Sequence, residues 1–481
     1  MSSIPAIEHL SLEFLDLKGS FQNLLDAYRN APFPSLKYRL NGLQKLEQAL
    51  LSNRMAIQEA INKDFKKPFA ETDGSELLTC LVEIRKARKE LKYWMQKKQV
   101  KNPLEMFGTK SFLLHEPKGV VLILSPWNYP INLSIIPLIA AWAAGNKIVL
   151  KPSEFTKHTS QLIAEIIESC FSKDEVMVVQ GDAQCAESLL LLPFHHIYFT
   201  GSKEKAKKLV KLTADRLIPV TLELGGKSPV IIDEHVDLKR YVKDIAFAKC
   251  LNAGQTCIAP DFILLPEKLK DPFLREWNLA IENFYGEHVI SNENYCGIIH
   301  KNHFDKLCKI VYQSLEQGAQ LEGKFEYHQE SLKIKPVLLW NSDWGHVSME
   351  SELFGPILPI LFYKDKKEII SNLNKMSTPL SLYLFSENKS WLSEMTQHIK
   401  SGGVTYNNCL LNYCNFNLPF GGLQESGTGS NHGRYGFESF SHLRAISVQG
   451  KWFKLLRNFH PPYTDSKKRI MNLFIKLIGK I

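Results

Sequence analysis

At about 100–200 residues per domain, 481 residues leave room for two to four domains, and 44% hydrophobic with 23% charged residues is globular composition. Disorder, collagen and a disulfide-stapled miniprotein are excluded. The formal charge is +9, but residues 451–481 carry +7 of it; the nearly neutral body excludes a nucleic-acid groove, and the basic signal belongs to a tail. Nine scattered cysteines, and an N-terminus with no basic segment leading into an apolar one, predict free thiols in a reducing, cytoplasmic compartment.

The first hundred residues read as helical. Leu36, Leu40, Leu43, Leu46, Leu50 and Leu51 recur at helical spacing, and residues 76–98 form a charged amphipathic stretch. Residues 119–146 carry no charge, long enough to span a bilayer, but Pro126, Pro130 and Pro137 interrupt them. They are expected to form a buried strand, a loop and a buried helix. From there β-rich runs at 120–124, 147–150, 176–180, 196–200, 220–224 and 229–233 punctuate the chain. The first four are separated by segments of helical length, which predicts a parallel α/β sheet. A second α/β block starts near Leu222 and continues to about Ser401. It holds a helix over 236–252 and strands at 262–265 and 357–362. The Gly- and Asn-rich tract 402–430 reads as loops and short strands crossing between blocks.

The dinucleotide fingerprint G-x-G-x-x-G is absent. Gly201 and Ser202 instead close the fourth strand and open a helix, whose free N–H groups suit a pyrophosphate. Cys257, in a loop shaped by Gly254 and Pro260, is placed to expose a thiolate among backbone N–H donors, although a buried structural cysteine is the commoner case. Glu223 precedes Gly225 and Gly226, where a backbone can approach a ligand closely. Glu223 and Glu352, the latter before Leu353-Phe354-Gly355-Pro356, fit a general base or a solvated turn. Asn128 and Trp127 lie in the turn past the first strand, where open α/β sheets bind ligands; the Asn128 amide suits an oxyanion or a helix cap. Cys409 and Cys414 have no second Cys/His pair at zinc-ligand spacing, so no metal is expected.

The motifs come in order: Ser125-Pro-Trp-Asn-Tyr-Pro130, Lys151-Pro-Ser-Glu154, Phe199-Thr-Gly-Ser202 and Leu222-Glu-Leu-Gly-Gly-Lys-Ser-Pro229. Gly254-Gln-Thr-Cys257, Glu352-Leu-Phe-Gly-Pro356 and Pro419-Phe-Gly-Gly-Leu423 follow. The series resembles the aldehyde dehydrogenase superfamily over residues 118–445. The stretch 431–442, Asn-His-Gly-Arg-Tyr-Gly-Phe-Glu-Ser-Phe-Ser-His, resembles its class-3 branch, which includes fatty aldehyde dehydrogenases. The resemblance implies an α/β fold. A Rossmann-type NAD(P)-binding domain would take residues 1–99 and 119–221, and an α/β catalytic domain residues 222–401. Bridging elements of a small β-rich oligomerisation arm would take 100–118 and 402–445, leaving a basic tail, 446–481.

It also implies roles. Cys257 is the nucleophile, Glu223 the general base and Asn128 the oxyanion amide. Lys151 and Glu154 hold the adenosine ribose, Glu352 the nicotinamide ribose, Phe354 braces the nicotinamide, and Gly201 and Ser202 flank the pyrophosphate. Trp127 and Gly225 count among the cofactor contacts. Ala206 stands where many members have glycine, which predicts shifted cofactor packing. The expected reaction is oxidation of an aldehyde to its acid through a thiohemiacetal and thioester on Cys257. Medium- to long-chain aliphatic substrates are expected first, aromatic or apocarotenoid ones as the alternative. Glu154 favours NAD, with NADP possible, and class-3 relatives imply a homodimer. The rivals are a non-enzymatic, membrane-associated binding protein with this fold, and a cysteine hydrolase, for which Cys257 lacks a His partner.

In the tail, apolar residues at 470, 473, 474, 477, 478 and 481 form one helical stripe, preceded by Lys467, Lys468 and Arg469. Twelve helical residues rise about 18 Å, too short for a hydrocarbon core of about 30 Å. The stripe is expected to lie on an anionic, cytoplasmic membrane face as a peripheral anchor, or to dock on the enzyme over the substrate entrance.

Overall fold

A computed structural model describes residues 12–103, 106–451, 457 and 459–478. Its strands, in chain order, begin with β1 (Lys98–Val100), β2 (Thr109–Pro117), β3 (Val120–Leu124), β4 (Lys147–Lys151), β5 (Val176–Val178), β6 (His196–Gly201) and β7 (Val220–Leu224). They continue with β8 (Pro229–Ile232), β9 (Phe262–Leu265), β10 (Tyr327–His328), β11 (Lys333–Ile334), β12 (Val337–Leu339) and β13 (Ile357–Phe362). The last are β14 (Ser381–Phe385), β15 (Gly403–Tyr406), β16 (Gly427–Thr428) and β17 (Ser441–Gln449). One six-stranded sheet has the order β16-β7-β6-β3-β4-β5, parallel except for β16; a second, all parallel, has the order β12-β13-β9-β8-β14-β15.

The parallel strands are continuous apolar runs because helices cover both faces of each sheet; all five residues of β3 are buried. The uncharged segment 119–146 is β3, a turn and the helix Asn132–Ala144, apolar on every side and closed by Gly145 at φ 93°. Its start is capped from elsewhere. Glu76 accepts the N–H groups of Ile131 at 3.1 Å and Asn132 at 2.9 Å, and pairs with Lys67 at 3.0 Å. Both members of that pair are fully buried. A carboxylate at a helix N-terminus is stabilised by the helix dipole, and the Lys67 ammonium lies 3.9 Å from the Tyr129 ring.

Strand membership adjusts two boundaries. β7 belongs to the first sheet through Leu224, because its N–H and C=O groups pair with β6 as far as Gly201↔Leu224. β15, beyond 401, completes the edge of the second sheet beside β14. The helix expected over 236–252 runs Leu238–Cys250, begun by the Asp237 cap and ended by left-handed Asn252 and Ala253. β1, β2 and β17 form a separate antiparallel arm whose β17 leaves Leu443 and Val448 half exposed.

The tail helix is longer than expected, Asp465–Ile478. Leu473 is 58% exposed, and Phe474 lies 6.4 Å from Phe459, ring to ring. Ile481 and the side chains of Leu477 and Ile478 lie outside the described residues. No described helix is long and apolar enough to cross a membrane.

Candidate active site

Parallel strands deliver their C-terminal ends to one edge of a sheet, and the loops leaving that edge form the crevice where ligands bind. The turn Pro126–Asn128 follows β3, Lys151 ends β4, Gly201 ends β6, and Glu223 and Gly225 sit at the end of β7. The topology therefore gathers residues up to a hundred positions apart. Glu352 reaches the same edge from the second block: a Cβ on Gly225 would collide with its carboxyl, and the Gly226 N–H bonds to it. The segment bearing Glu352 is pinned by a buried Lys227–Asp261 pair. Asp261 accepts the Leu353 N–H at 3.0 Å, and Lys227 donates to the carbonyls of Ser348 (2.9 Å) and Ser351 (3.1 Å).

The loop to Cys257 is set by three consecutive left-handed residues, Asn252 (φ 53°), Ala253 (φ 50°) and Gly254 (φ 74°). Such strain persists only where surroundings over-determine it. Here Gly254 lies on the backbone of Gly355, where a Cβ would collide with the carbonyl. Gln255 is wholly buried, donating to the carbonyls of Asn252 and Gly297 (both 2.9 Å) and accepting from the Ile299 N–H (3.0 Å). The Gln255 carbonyl accepts from the Asn128 amide at 3.0 Å, and the Asn252 amide donates to the Asn128 carbonyl at 2.8 Å. The Asn128 turn and the Cys257 loop are thus one hydrogen-bonded unit. A primary amide has two N–H bonds, and Gln255 takes one of those on Asn128. Gln255 stands inside the Gly254-Gln-Thr-Cys257 motif with no role that its residue type announces, and Asn252 carries no signal in the sequence.

Burial, with Glu352 and Glu223 nearby, pushes the Cys257 thiol well up, while its own N–H and that of Ile258 pull the other way. The expected N–H donors are present, but desolvation outweighs them and the resting group is a thiol rather than a thiolate. Glu223 is 5% exposed, and burial raises its carboxyl to about 8 against a lowering by Tyr198. Its Oε1 is buried with no partner. Glu352 is likewise pushed up to about 8, by burial first and Asp261 second, against the Gly226 N–H, Lys227 and Lys249.

A dinucleotide fits the crevice edge. Lys151 is buried and holds Glu154 at 3.3 Å, a paired cation and carboxylate suited to sugar hydroxyls. Ser202 precedes the helix Lys203–Thr213 without capping it, leaving the first-turn N–H groups unbonded by that side chain. Ser125 Oγ is buried without a partner. The Gly225 cradle on Glu352 has no room for a side chain, and Phe354 (φ 55°) stands edge-on to Trp127 at 5.3 Å. Ala206 is buried in the core beneath the sheet. Among the described residues no group of three or more His, Cys, Asp or Glu side chains could hold a metal ion. All nine cysteines are unbridged.

On its other side Cys257 opens on a cavity of about 720 Å³. Leu133, Phe247, Leu251, Phe284 and Leu411 give it apolar walls. Among the described residues, Glu71 and Asp244 are its only acidic or basic lining residues, and none of the described lining comes from the tail helix.

Residues 25–446 match the model of the aldehyde dehydrogenase family, and the chain belongs to that family. It is an NAD(P)-dependent aldehyde dehydrogenase. It is 38% identical to the 4,4'-diaponeurosporen-aldehyde dehydrogenase of Staphylococcus aureus, over 91% of this chain and 95% of that one. Aldehyde dehydrogenase family 3 member A2 of Rattus norvegicus is 34% identical, over 95% and 94%. The substrate-bound structure of Staphylococcus aureus AldH superimposes with a TM-score of 0.92 at 35% identity, covering 95% of this chain and 99% of that one.

Proposed function

We propose that this enzyme oxidises medium- to long-chain aliphatic aldehydes, with Cys257 as nucleophile, Asn128 as oxyanion donor and Glu223 as general base. The observation that carries the substrate class is the apolar cavity beside Cys257, whose size lies within the range of about 300–1,000 Å³ usual for small-molecule sites. The name of the Staphylococcus aureus relative supports a long apocarotenoid aldehyde as the second reading.

The thiol sulfur of Cys257 bonds to the aldehyde carbon as Glu223 takes the thiol proton. The oxygen gathers charge between the free Asn128 N–H and the Cys257 N–H, and such a donor contributes about 10²–10³ in rate. When bound, the oxidised nicotinamide supplies the acceptor for the hydride on that carbon. Glu223 passes the thiol proton on to solvent, and the regenerated carboxylate then removes a proton from water, which attacks the thioester and frees the acid and Cys257. Lys151 and Glu154 would hold the adenosine ribose and Glu352 the nicotinamide ribose. Phe354 and Trp127 would brace the ring, and Gly201, Ser202 and Gly225 would leave space for the pyrophosphate and backbone. The Glu154 carboxylate repels a 2′-phosphate, which favours NAD over NADP.

The described lining holds Glu71 and Asp244 and no Lys, Arg or His, and burial raises Glu71 to about 7, so above that pH the cavity disfavours an anionic substrate. NADH formation followed by absorbance should give KM values that fall from butanal to dodecanal. A semialdehyde bearing a terminal carboxylate should show kcat/KM at least about 10-fold below the neutral aldehyde of equal length, the factor that about 1.4 kcal/mol of unfavourable interaction supplies. Equal values for the two would remove the cavity as the source of selectivity.

The exposed Leu473 and Ile475 beside Lys467, Lys468 and Arg469 support a peripheral anchor on anionic membrane, on the cytoplasmic side. The half-exposed apolar residues of β17 support a homodimer formed through the arm. Truncation after Tyr463 should abolish co-sedimentation with anionic liposomes at low salt, while light scattering still reads a dimer. Full-length protein that ignores such liposomes would overturn the first reading, and a monomer or tetramer the second.

A further inference from the structure

Tyr198 was not among the residues that the sequence marked, and the reaction above gives it no role. It lies on β6, where Tyr198↔Thr221 and Thr200↔Glu223 are the paired positions with β7. Alternation along both strands puts Tyr198 and Glu223 on one face of the sheet, on a diagonal. The ring is 2% exposed and stacked on Phe440 at 5.4 Å and 25°. Its hydroxyl accepts a hydrogen bond of 2.8 Å from the Asn431 amide.

The direction of that bond follows from the next one. Asn431 Oδ1 accepts the His432 N–H at 2.8 Å, so the amide nitrogen is the end turned to Tyr198. An amide NH₂ donates and does not accept. The phenol oxygen must therefore be the acceptor, and the phenol proton points elsewhere. The carboxyl on its diagonal is Glu223, whose Oε1 is buried without a hydrogen-bond partner and whose pKa the neighbouring Tyr198 lowers. Asn431 is itself 4% exposed and clamped by paired backbone bonds to Phe420 at 2.7 and 3.2 Å.

We propose that Tyr198, oriented by Asn431, is a positioning residue that donates its phenol proton to Glu223 and keeps that carboxylate aimed and ionisable for its work on water. This rests on the reading of Glu223 as general base. The other titratable groups whose charge bears on this site are Cys257, Tyr413 and, through Cys257, Glu352. None of them lowers the Glu223 pKa as Tyr198 does, and among the described residues no cation holds Glu223 ionised.

The test compares pH profiles of kcat and of the pre-steady-state NADH burst for the wild-type enzyme, Tyr198→Phe and Glu223→Gln. Phenylalanine keeps the stack on Phe440 and removes only the hydroxyl. In Tyr198→Phe the acid limb of kcat should move up by about one pH unit, lowering kcat near pH 7 by about 10-fold, with burst amplitude and KM for NAD unchanged. Asn431→Asp, whose carboxylate accepts the phenol proton and turns it from Glu223, should move the limb the same way. An unmoved limb in Tyr198→Phe, with Glu223→Gln abolishing the limb altogether, overturns the role of Tyr198 alone. A wild-type limb in Glu223→Gln overturns instead the reading of Glu223 on which it rests. A Tyr198→Phe enzyme with reduced burst amplitude and an unmoved limb marks a packing role and also overturns the proposal.

Discussion

Cys257→Ser should lose dehydrogenase turnover by about 10⁴-fold or more, the scale seen when an essential nucleophile is removed, while NAD binding by fluorescence titration stays as in the wild type. The substitution is nearly isosteric, so the loop held by Gln255 and Asn252 should keep its form. What changes is acidity and nucleophilicity. The Cys257 thiol already sits well above its ordinary value because it is buried near Glu223 and Glu352. A hydroxyl there is far harder to ionise, and Glu223, itself raised only to about 8, is too weak a base to compensate. The same reasoning assigns the first proton transfer to substrate binding rather than to the resting enzyme. Turnover of the serine variant within an order of magnitude of wild type would remove Cys257 from the chemistry.

Both parallel sheets were legible because a strand buried on both faces is an apolar run between turn residues: 120–124 and 262–265 were expected as strands, and β3 and β9 have those bounds. The tract 402–430 was expected to hold short strands, but β16, a two-residue strand with no periodicity of its own, could not be placed within it, yet it pairs Gly427 directly with Glu223. The motif residues of the site were legible for a related reason. They sit at strand ends, where the apolar run stops and Gly, Pro or a lone polar residue begins. What sequence could not supply was the set of partners that hold them. Glu76 reads as the start of a charged amphipathic stretch; the structure buries it completely, against Lys67 and under the N-terminus of another helix. The contact from Asn431 to Tyr198 spans 233 positions, and neither residue type announces a partner. Such links are made by topology, which is set by the whole core and not by local pattern.

Glu223→Gln should separate the two halves of the reaction. Glutamine keeps the shape and can still donate or accept a hydrogen bond, but it cannot take a proton from water, so hydrolysis of the thioester should slow by about 10²–10⁴-fold. Acylation needs only that the thiol proton leave, which bulk water reached through the cavity mouth can accept more slowly. A burst of NADH close to one equivalent per active site should therefore survive, followed by a steady rate near zero, and mass spectrometry should find the acyl group on Cys257. The wild-type pH dependence has a definite sign. Burial raises Glu223 to about 8, so at pH 7 most of the enzyme holds it protonated and idle as a base. A steady rate limited by hydrolysis should climb about 10-fold per pH unit up to the folded value and then level off, and Glu223→Gln should flatten that climb. Glu352 is raised to a similar value by burial and Asp261, so the climb alone does not distinguish the two carboxylates. The variants do. Glu352→Gln should raise KM for NAD and leave the shape of the limb, because Glu352 lies against Gly225 on the cofactor side of the crevice. If burst and steady rate instead fall together in Glu223→Gln while Glu352→Gln flattens the limb, the base is Glu352.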